Sequence, residues 1–200
     1  MDMKILAFVT FATALATAPV GAQTPVTVRC TPTDGSAAGC YYCPGYESVI
    51  KLTGTKLHCN TINLVAYHDL DVKIIGTWNG SVVEVTSIAL EPESFSVSGN
   101  GVIGGRFDFN TVGPIGGLAA NFLSLGAGFL VPFDDLAMQI APASAVVLGG
   151  GVIGGNAEWK TRLDLPDDTS LIGLRIFGQG YVAPPIGAPY TTNVDSKVIG

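Results

Sequence analysis

The feature that most restricts what this chain can fold into is its punctuation. Gly (26) and Pro (12) recur throughout the 200 residues, so that after residue 22 no apolar run continues for a membrane-spanning length without a glycine, a proline or a charge. Both residues break helices, whereas short segments rich in Val, Ile, Thr and Phe between such breaks favour strands. The expectation is an all-β chain of short strands and tight turns, with no membrane span once the leader is gone.

The first 22 residues stand apart. Lys4 precedes an apolar, small-residue run from Ile5 to Ala16, and Val20-Gly21-Ala22 supplies the small-x-small pattern cut by signal peptidase. About a dozen apolar residues fall short of the roughly 20 needed to cross a bilayer, but they suit the core of a secretory leader. Residues 1–22 are therefore read as a signal peptide, and the mature chain as secreted, periplasmic or at the cell surface. A lipid anchor is not expected, because the first cysteine is Cys30. The net charge of −6, on a chain only 13 % charged, repels phosphate backbones, so no nucleic-acid partner is expected.

Cys30, Cys40, Cys43 and Cys59 all lie near the mature N-terminus. In an exported chain an even, clustered set reads as two disulfides, and four cysteines permit three pairings. Cys30 with Cys59, enclosing Cys40 with Cys43, is the preferred arrangement, and pattern alone leaves the others open. Zinc is the rival reading, weakened by the lack of a second C-x2-C knuckle. Cys40-Tyr41-Tyr42-Cys43 also matches the C-x-x-C of thiol oxidoreductases. There a helix start lowers one thiol pKa, whereas here Pro44-Gly45 comes directly after.

The chain divides near Leu90-Glu91-Pro92-Glu93 into residues 23–93 and 94–200. Upstream, strands are predicted at 48–54, 57–63, 72–78 and 81–90. Asn79-Gly80 joins the last two as a type I′ hairpin signal. Val72, Ile74 and Gly76 alternate with Lys73, Ile75 and Thr77, and Val83, Val85 and Ser87 with Glu84, Thr86 and Ile88, the period of two of a half-buried antiparallel pair. Downstream, eight runs are predicted as strands at 94–98, 102–109, 118–125, 136–140, 145–148, 157–165, 171–182 and 194–199, the spacing of a β-sandwich. An echo runs through this half: Gly101–Gly105 recurs as Gly151–Gly155, Gly126–Pro132 as Gly178–Pro184, and Val147–Gly149 as Val198–Gly200. Three collinear matches suggest an internal duplication of a four-strand unit.

Two stretches of the chain carry a resemblance. Val49–Gly54, Leu64–Tyr67, Asp71–Trp78 and Val83–Ile88 resemble the small OB-like β-barrels of exported bacterial proteins. Leu171-Ile172-Gly173, Phe177, Gln179, Asn193, Ser196 and Val198-Ile199-Gly200 are similar to the L-x-G-x-x-x-x-x-Q … N-x-x-S-x-V-x-I-G ending of uncharacterised secreted bacterial β-proteins. Together they imply a small disulfide-stapled OB-like barrel followed by an antiparallel β-sandwich. They imply no chemistry.

Candidate sites are few. Residues 145–155 contain G-x-G-x-x-G after an apolar run, the dinucleotide fingerprint. The motif needs a helix and a later acid on the ribose. Here the next residues, from Asn156 on, alternate as a strand, so turns and bulges account for the glycines and no cofactor is expected. His68-Asp69-Leu70-Asp71 with His58, and Asp164–Ser170, could contribute metal or calcium ligands. A solvated turn and Asx-turn chemistry explain them as well, and no metal is expected. With two histidines and no G-x-S-x-G elbow, a serine or cysteine triad has little to draw on. Tyr41, Tyr42 and Tyr46 are the candidate ligand contacts, since aromatic rings on such barrels can stack sugars. The expected function is non-enzymatic: binding, or a structural role in the cell envelope, with a glycan or an envelope protein as partner. The alternative is a small carbohydrate-active enzyme using carboxylates such as Asp164 or Asp167.

Overall fold

Among the residues that the computed structural model describes, 23–35, 48–132 and 135–200, every regular element of more than four residues is a strand. Residues 1–22, read above as a signal peptide, and Cys40, Tyr41, Tyr42, Cys43 and Tyr46 lie outside those residues. The all-β expectation holds, and no helix among the described residues is long and apolar enough to cross a membrane.

The first region is a six-stranded sheet. Its strands are β1 (Thr24–Cys30), β2 (Pro32–Asp34), β3 (Ser48–Ile50), β4 (Lys56–His58), β5 (Val72–Trp78) and β6 (Val82–Leu90), in the order β1-β5-β6-β4-β3-β2. Only β4 and β6 run parallel. The two edge strands, β1 and β2, are separated in the chain by Thr31 alone, so the sheet must roll upon itself. Val26, Val28, Cys30, Leu57, Val72, Ile74, Val83 and Val85 fill the interior.

Along β5 the alternation is as predicted: Val72, Ile74 and Gly76 are buried, and Lys73, Ile75 and Thr77 are not. Along β6 it changes phase. The ladder slips between Ile75 and Gly76, leaving Thr86 as the extra residue of a bulge, and Thr86 Oγ1 donates to Ile75 O at 3.0 Å. A bulge reverses the facing of the residues beyond it. Ile88 therefore packs on the core and Ser87 is exposed, the opposite of the simple alternation. The turn also departs from type I′, since only Gly80 has positive φ (93°). Asn79 instead uses its side chain, whose Oδ1 accepts the N–H groups of Ser81 at 3.0 Å and Val82 at 2.9 Å.

The Cys30–Cys59 bridge is not formed; both are free thiols. Cys30 points into the rolled sheet, where burial first and Asp71 second push its thiol well above the ordinary range. The Cys59 sulfur faces its own turn. There desolvation, the largest single influence, pushes the thiol up, but the hydrogen bonds with Thr61 and Ile62 together outweigh it and hold the thiol below the usual value. The expected Cys40–Cys43 bridge lies outside the described residues.

The second region is sandwich-like. It comprises β7 (Phe95–Ser98), β8 (Arg106–Val112), β9 (Leu118–Ser124), β10 (Ala127–Leu130), β11 (Met138–Ile140), β12 (Val146–Val152), β13 (Glu158–Asp164), β14 (Arg175–Ala183) and β15 (Tyr190–Val198). A three-stranded sheet, β13-β8-β7, faces a four-stranded one, β12-β9-β14-β15, and β10 and β11 form a separate ribbon. All pairings in this region are antiparallel.

Gly178 is required by the inner packing: a Cβ there would meet the rings of Phe95 and Phe109 at 2.8–2.9 Å. The dinucleotide-like glycines lie in β12 and in the turn leading to strand β13, not ahead of a helix. The first echo falls before β8 and β13, which pair with each other. The second falls on the ribbon strand β10 and the central strand β14, positions that are not equivalent in the sheets.

Candidate functional site

The two regions meet along a seam built from buried polar groups. On the rolled-sheet side, β1 uses the edge opposite β5: Thr27 N donates to Asp135 O at 2.8 Å and Thr27 Oγ1 to Asp135 Oδ2 at 2.9 Å. On the sandwich side, Gln179 projects from β14 between two interior-facing glycines. Its Oε1 accepts Gln139 N at 2.9 Å, and its Nε2 donates to Thr192 O at 2.9 Å and Ala137 O at 3.2 Å. Gln139 Nε2 then donates to Arg29 O at 2.8 Å, closing the link back to β1. Both glutamines are almost fully buried, where an amide without partners would cost about 1–3 kcal/mol.

Arg29 is the charged residue at the centre of this seam. It is 9 % exposed, its Nε donates to Glu91 Oε1 at 2.7 Å, and its guanidinium lies 3.9 Å from the centroid of the Tyr190 ring. A buried charge needs such a partner, and the aromatic face adds a cation–π contact. Burial raises the Tyr190 hydroxyl pKa despite the opposing field of Arg29. Thr27, Arg29, Lys73, Asp135, Tyr190 and Thr191 line a cavity of about 230 Å³ here.

A second cavity of about 220 Å³ along the seam is lined in part by Cys30, Lys51, Glu93, Gln139, Asn193 and Asp195. Burial, and then the carboxylates of Asp195 and Asp71, push the Glu93 carboxyl above its ordinary value, with Lys197 opposing. A third, shallower cleft of about 540 Å³ lies at the end of β8 and β13 and includes Asn100, Arg106, Asp108 and Asp164. Asp108 there faces Arg162, whose Nε is 3.3 Å from its Oδ1.

The residues singled out in the sequence do not converge. His68 Nε2 lies 2.7 Å from Ser48 Oγ, Asp69 pairs with Lys51 at 3.1 Å, Asp71 accepts Thr31 Oγ1 at 2.8 Å, and His58 Nδ1 is 2.5 Å from Glu84 Oε2. Ser48 and His68 have the spacing of a nucleophile and its base, but Ser48 is fully buried, so its hydroxyl fastens β3 to the turn at Leu64–Tyr67 instead. Asp168 caps the short 3-10 turn Thr169–Leu171, accepting Ser170 N at 2.9 Å, and these hydrogen bonds lower its pKa. Among the described residues no three His, Cys, Asp or Glu side chains gather as a metal would need.

The C-terminal motif residues are architectural. Besides Gln179, Asn193 Oδ1 accepts the N–H groups of Ser94 and Phe95, and its Nδ2 donates to Phe95 O. Gly173, at φ 85°, donates to Ile199 O at 2.7 Å. Comparison with protein-family models, with curated proteins and with solved structures finds no match. Arg29, Lys73, Glu91 and Asp135 were not among the sequence candidates. The one signal for Arg29 is a lone cation following Val26 and Val28 in an alternating run.

Proposed function

We propose that this is an exported protein that acts by binding, with the seam cavity at Arg29 and Tyr190 as its ligand site and a glycan as the ligand class. The observation that carries the reading is the Arg29 guanidinium, fixed by Glu91 over an aromatic ring in a concave site that also offers Thr27, Lys73 and Asp135. Binding sites commonly set a few fixed polar groups in a pre-formed concavity. This mixture of donors and acceptors suits a hydroxyl-rich ligand about the size of one sugar ring. The hydrophobic leader supports export, and the rolled sheet is read as an OB-like module whose lead-in sequence carries Tyr41, Tyr42 and Tyr46 as further candidate ligand contacts. Glycan-array binding of the purified protein tests this. Lys73→Ala and Asp135→Asn each weaken the best hit by about tenfold, the loss expected for one hydrogen bond to a charged group. Unchanged affinity in both variants removes the site from this cavity.

A second reading is supported by the placement of Asp108 and Asp164 on one open cleft, with Asp167 at its rim beside Gly104. Paired carboxylates can hydrolyse glycosides. Release of reducing sugars that is lost in Asp164→Asn, with the melting temperature retained, favours this reading over binding.

A further inference from the structure

The open edges of the sandwich are guarded in different ways, and one is not guarded. Strand β7 ends the three-stranded sheet, but side chains of β15 close it: Asn193 takes Phe95 N, and Asp195 Oδ2 takes Val97 N at 2.7 Å. Strand β15 lies against both β1 and β7. Strand β13 carries Glu158, Lys160, Arg162 and Asp164, the charges that commonly keep an exposed edge from pairing with another chain. Among the described residues, strand β12 has neither device on its outer edge, although Trp159 and Thr161 of β13 pack on the face at Gly149 and Gly151. Its sequence, Val146-Val147-Leu148-Gly149-Gly150-Gly151-Val152, holds no charge and no proline, and from Leu136 to Ala157 no charged side chain occurs. Val146 is 51 % exposed, Val147 47 % and Val152 59 %. Beyond the bulge at Leu148, Gly149–Val152 pairs regularly with β9 on one side, and the strand ends its sheet on the other.

We propose that β12 is a self-association edge, where two copies of this chain pair their β12 strands antiparallel across a two-fold axis. An isologous contact needs one patch that is complementary to itself. A neutral strand meets this condition, because it brings no like charges together although each chain carries −6 overall. The glycines are taken up by packing within the chain, since a Cβ at Gly151 would meet the Trp159 indole, so the contact between copies runs along the backbone edge and the exposed valines. Four strands on each side would become a continuous eight-stranded sheet, covering valines that otherwise face water. A binder of the kind proposed above would then present two seam cavities, although the pairing does not depend on that reading.

Sedimentation equilibrium of the purified protein over a concentration series tests the proposal. A reversible monomer–dimer equilibrium is expected, together with slower hydrogen exchange of the Gly149–Val152 amides as concentration rises. Val146→Lys combined with Val152→Lys places cations on the shared edge, and it weakens the dimer by at least about tenfold. Val102→Lys, at an exposed position away from β12, leaves it unchanged. A protein that is monomeric at every concentration overturns the proposal, as does a dimer that survives the β12 lysines or shows no change in β12 exchange.

Discussion

In the rolled sheet a single cluster of aliphatic side chains, from Val26 and Val28 on β1 to Val83 and Val85 on β6, fills the interior. In the sandwich, two smaller apolar clusters flank a band of buried polar groups. Strand β9 displays the arrangement along its inner face: Ala119 belongs to one cluster, Leu123 packs on the other, and Asn121 lies between them. Asn121 accepts Thr111 Oγ1 and donates from Nδ2 to Phe109 O at 2.9 Å. A sheet rolled on itself specifies its register through its own ladders. Two sheets that merely face each other can slide, and a directional polar contact between them opposes that sliding where apolar contacts would not. The same kind of group, Gln139 and Gln179, then fastens the sandwich to the rolled sheet.

The strongest way to break this comparison is to damage one core and watch the other. Phe109→Ala empties a fully buried position in the larger sandwich cluster and is expected to destabilise by about 3–5 kcal/mol. Ile74→Ala, in the rolled sheet, is expected to lose about 2–5 kcal/mol. Because the seam hydrogen bonds join the regions, calorimetry should show one transition displaced downward in both variants. Two separated transitions, with only the mutated region affected, would mean that the seam does not couple them.

A smaller effect sharpens the point about polar groups. Asn121→Leu keeps the branched shape of the side chain but removes the partner of Phe109 O and Thr111 Oγ1, which should lower stability by about 1–3 kcal/mol per unsatisfied group. Thr53→Ala removes a partner of Thr55 in the rolled sheet, where Thr53 Oγ1 donates to Thr55 Oγ1 at 2.8 Å. That site is only partly buried, and the loss should stay below about 1 kcal/mol. Equal losses in chemical denaturation would erase the distinction between the two interiors.

These contrasts explain how much was legible in the sequence. Strands β5 and β6 announce themselves through period-two apolar patterns, which report burial of one face and little else, and β8 and β9 only as short apolar runs between glycines. The bulge at Thr86 is invisible to that pattern, because its consequence, Ile88 turning inward, depends on where the partner strand slips. Strand β1 was missed although Val26, Val28 and Cys30 alternate, since it comes directly after the hydrophobic N-terminal segment and begins the cysteine cluster. The seam was not legible at all. Arg29 reaches Thr191 across 162 residues and Gln139 reaches Arg29 across 110, and no local pattern encodes such pairs. Gln179 did stand out, as a residue of the C-terminal motif. The motif marked the position, whereas its partners on β11 and β15 showed what it does.

The smallest expected effect concerns charge at the seam. Glu93 is more than a third exposed, yet burial and the nearby Asp195 and Asp71 raise its carboxyl pKa above the ordinary value. A raised carboxyl binds its proton more tightly in the folded chain than in the unfolded one. It therefore adds stability below the ordinary carboxyl pKa and loses that increment as pH rises through the folded value. Glu93→Gln abolishes the titration and the repulsion together. The variant should be more stable than the parent at neutral pH, and the difference should fade as acid protonates Glu93 in the parent. Solvent screening of so exposed a group keeps the difference below about 1 kcal/mol. Denaturant unfolding of both proteins from neutral pH down through the carboxyl range measures it. Parallel stability curves would show that the seam tolerates its three carboxylates without strain, and that it differs from the rolled-sheet interior in hydrogen bonding alone.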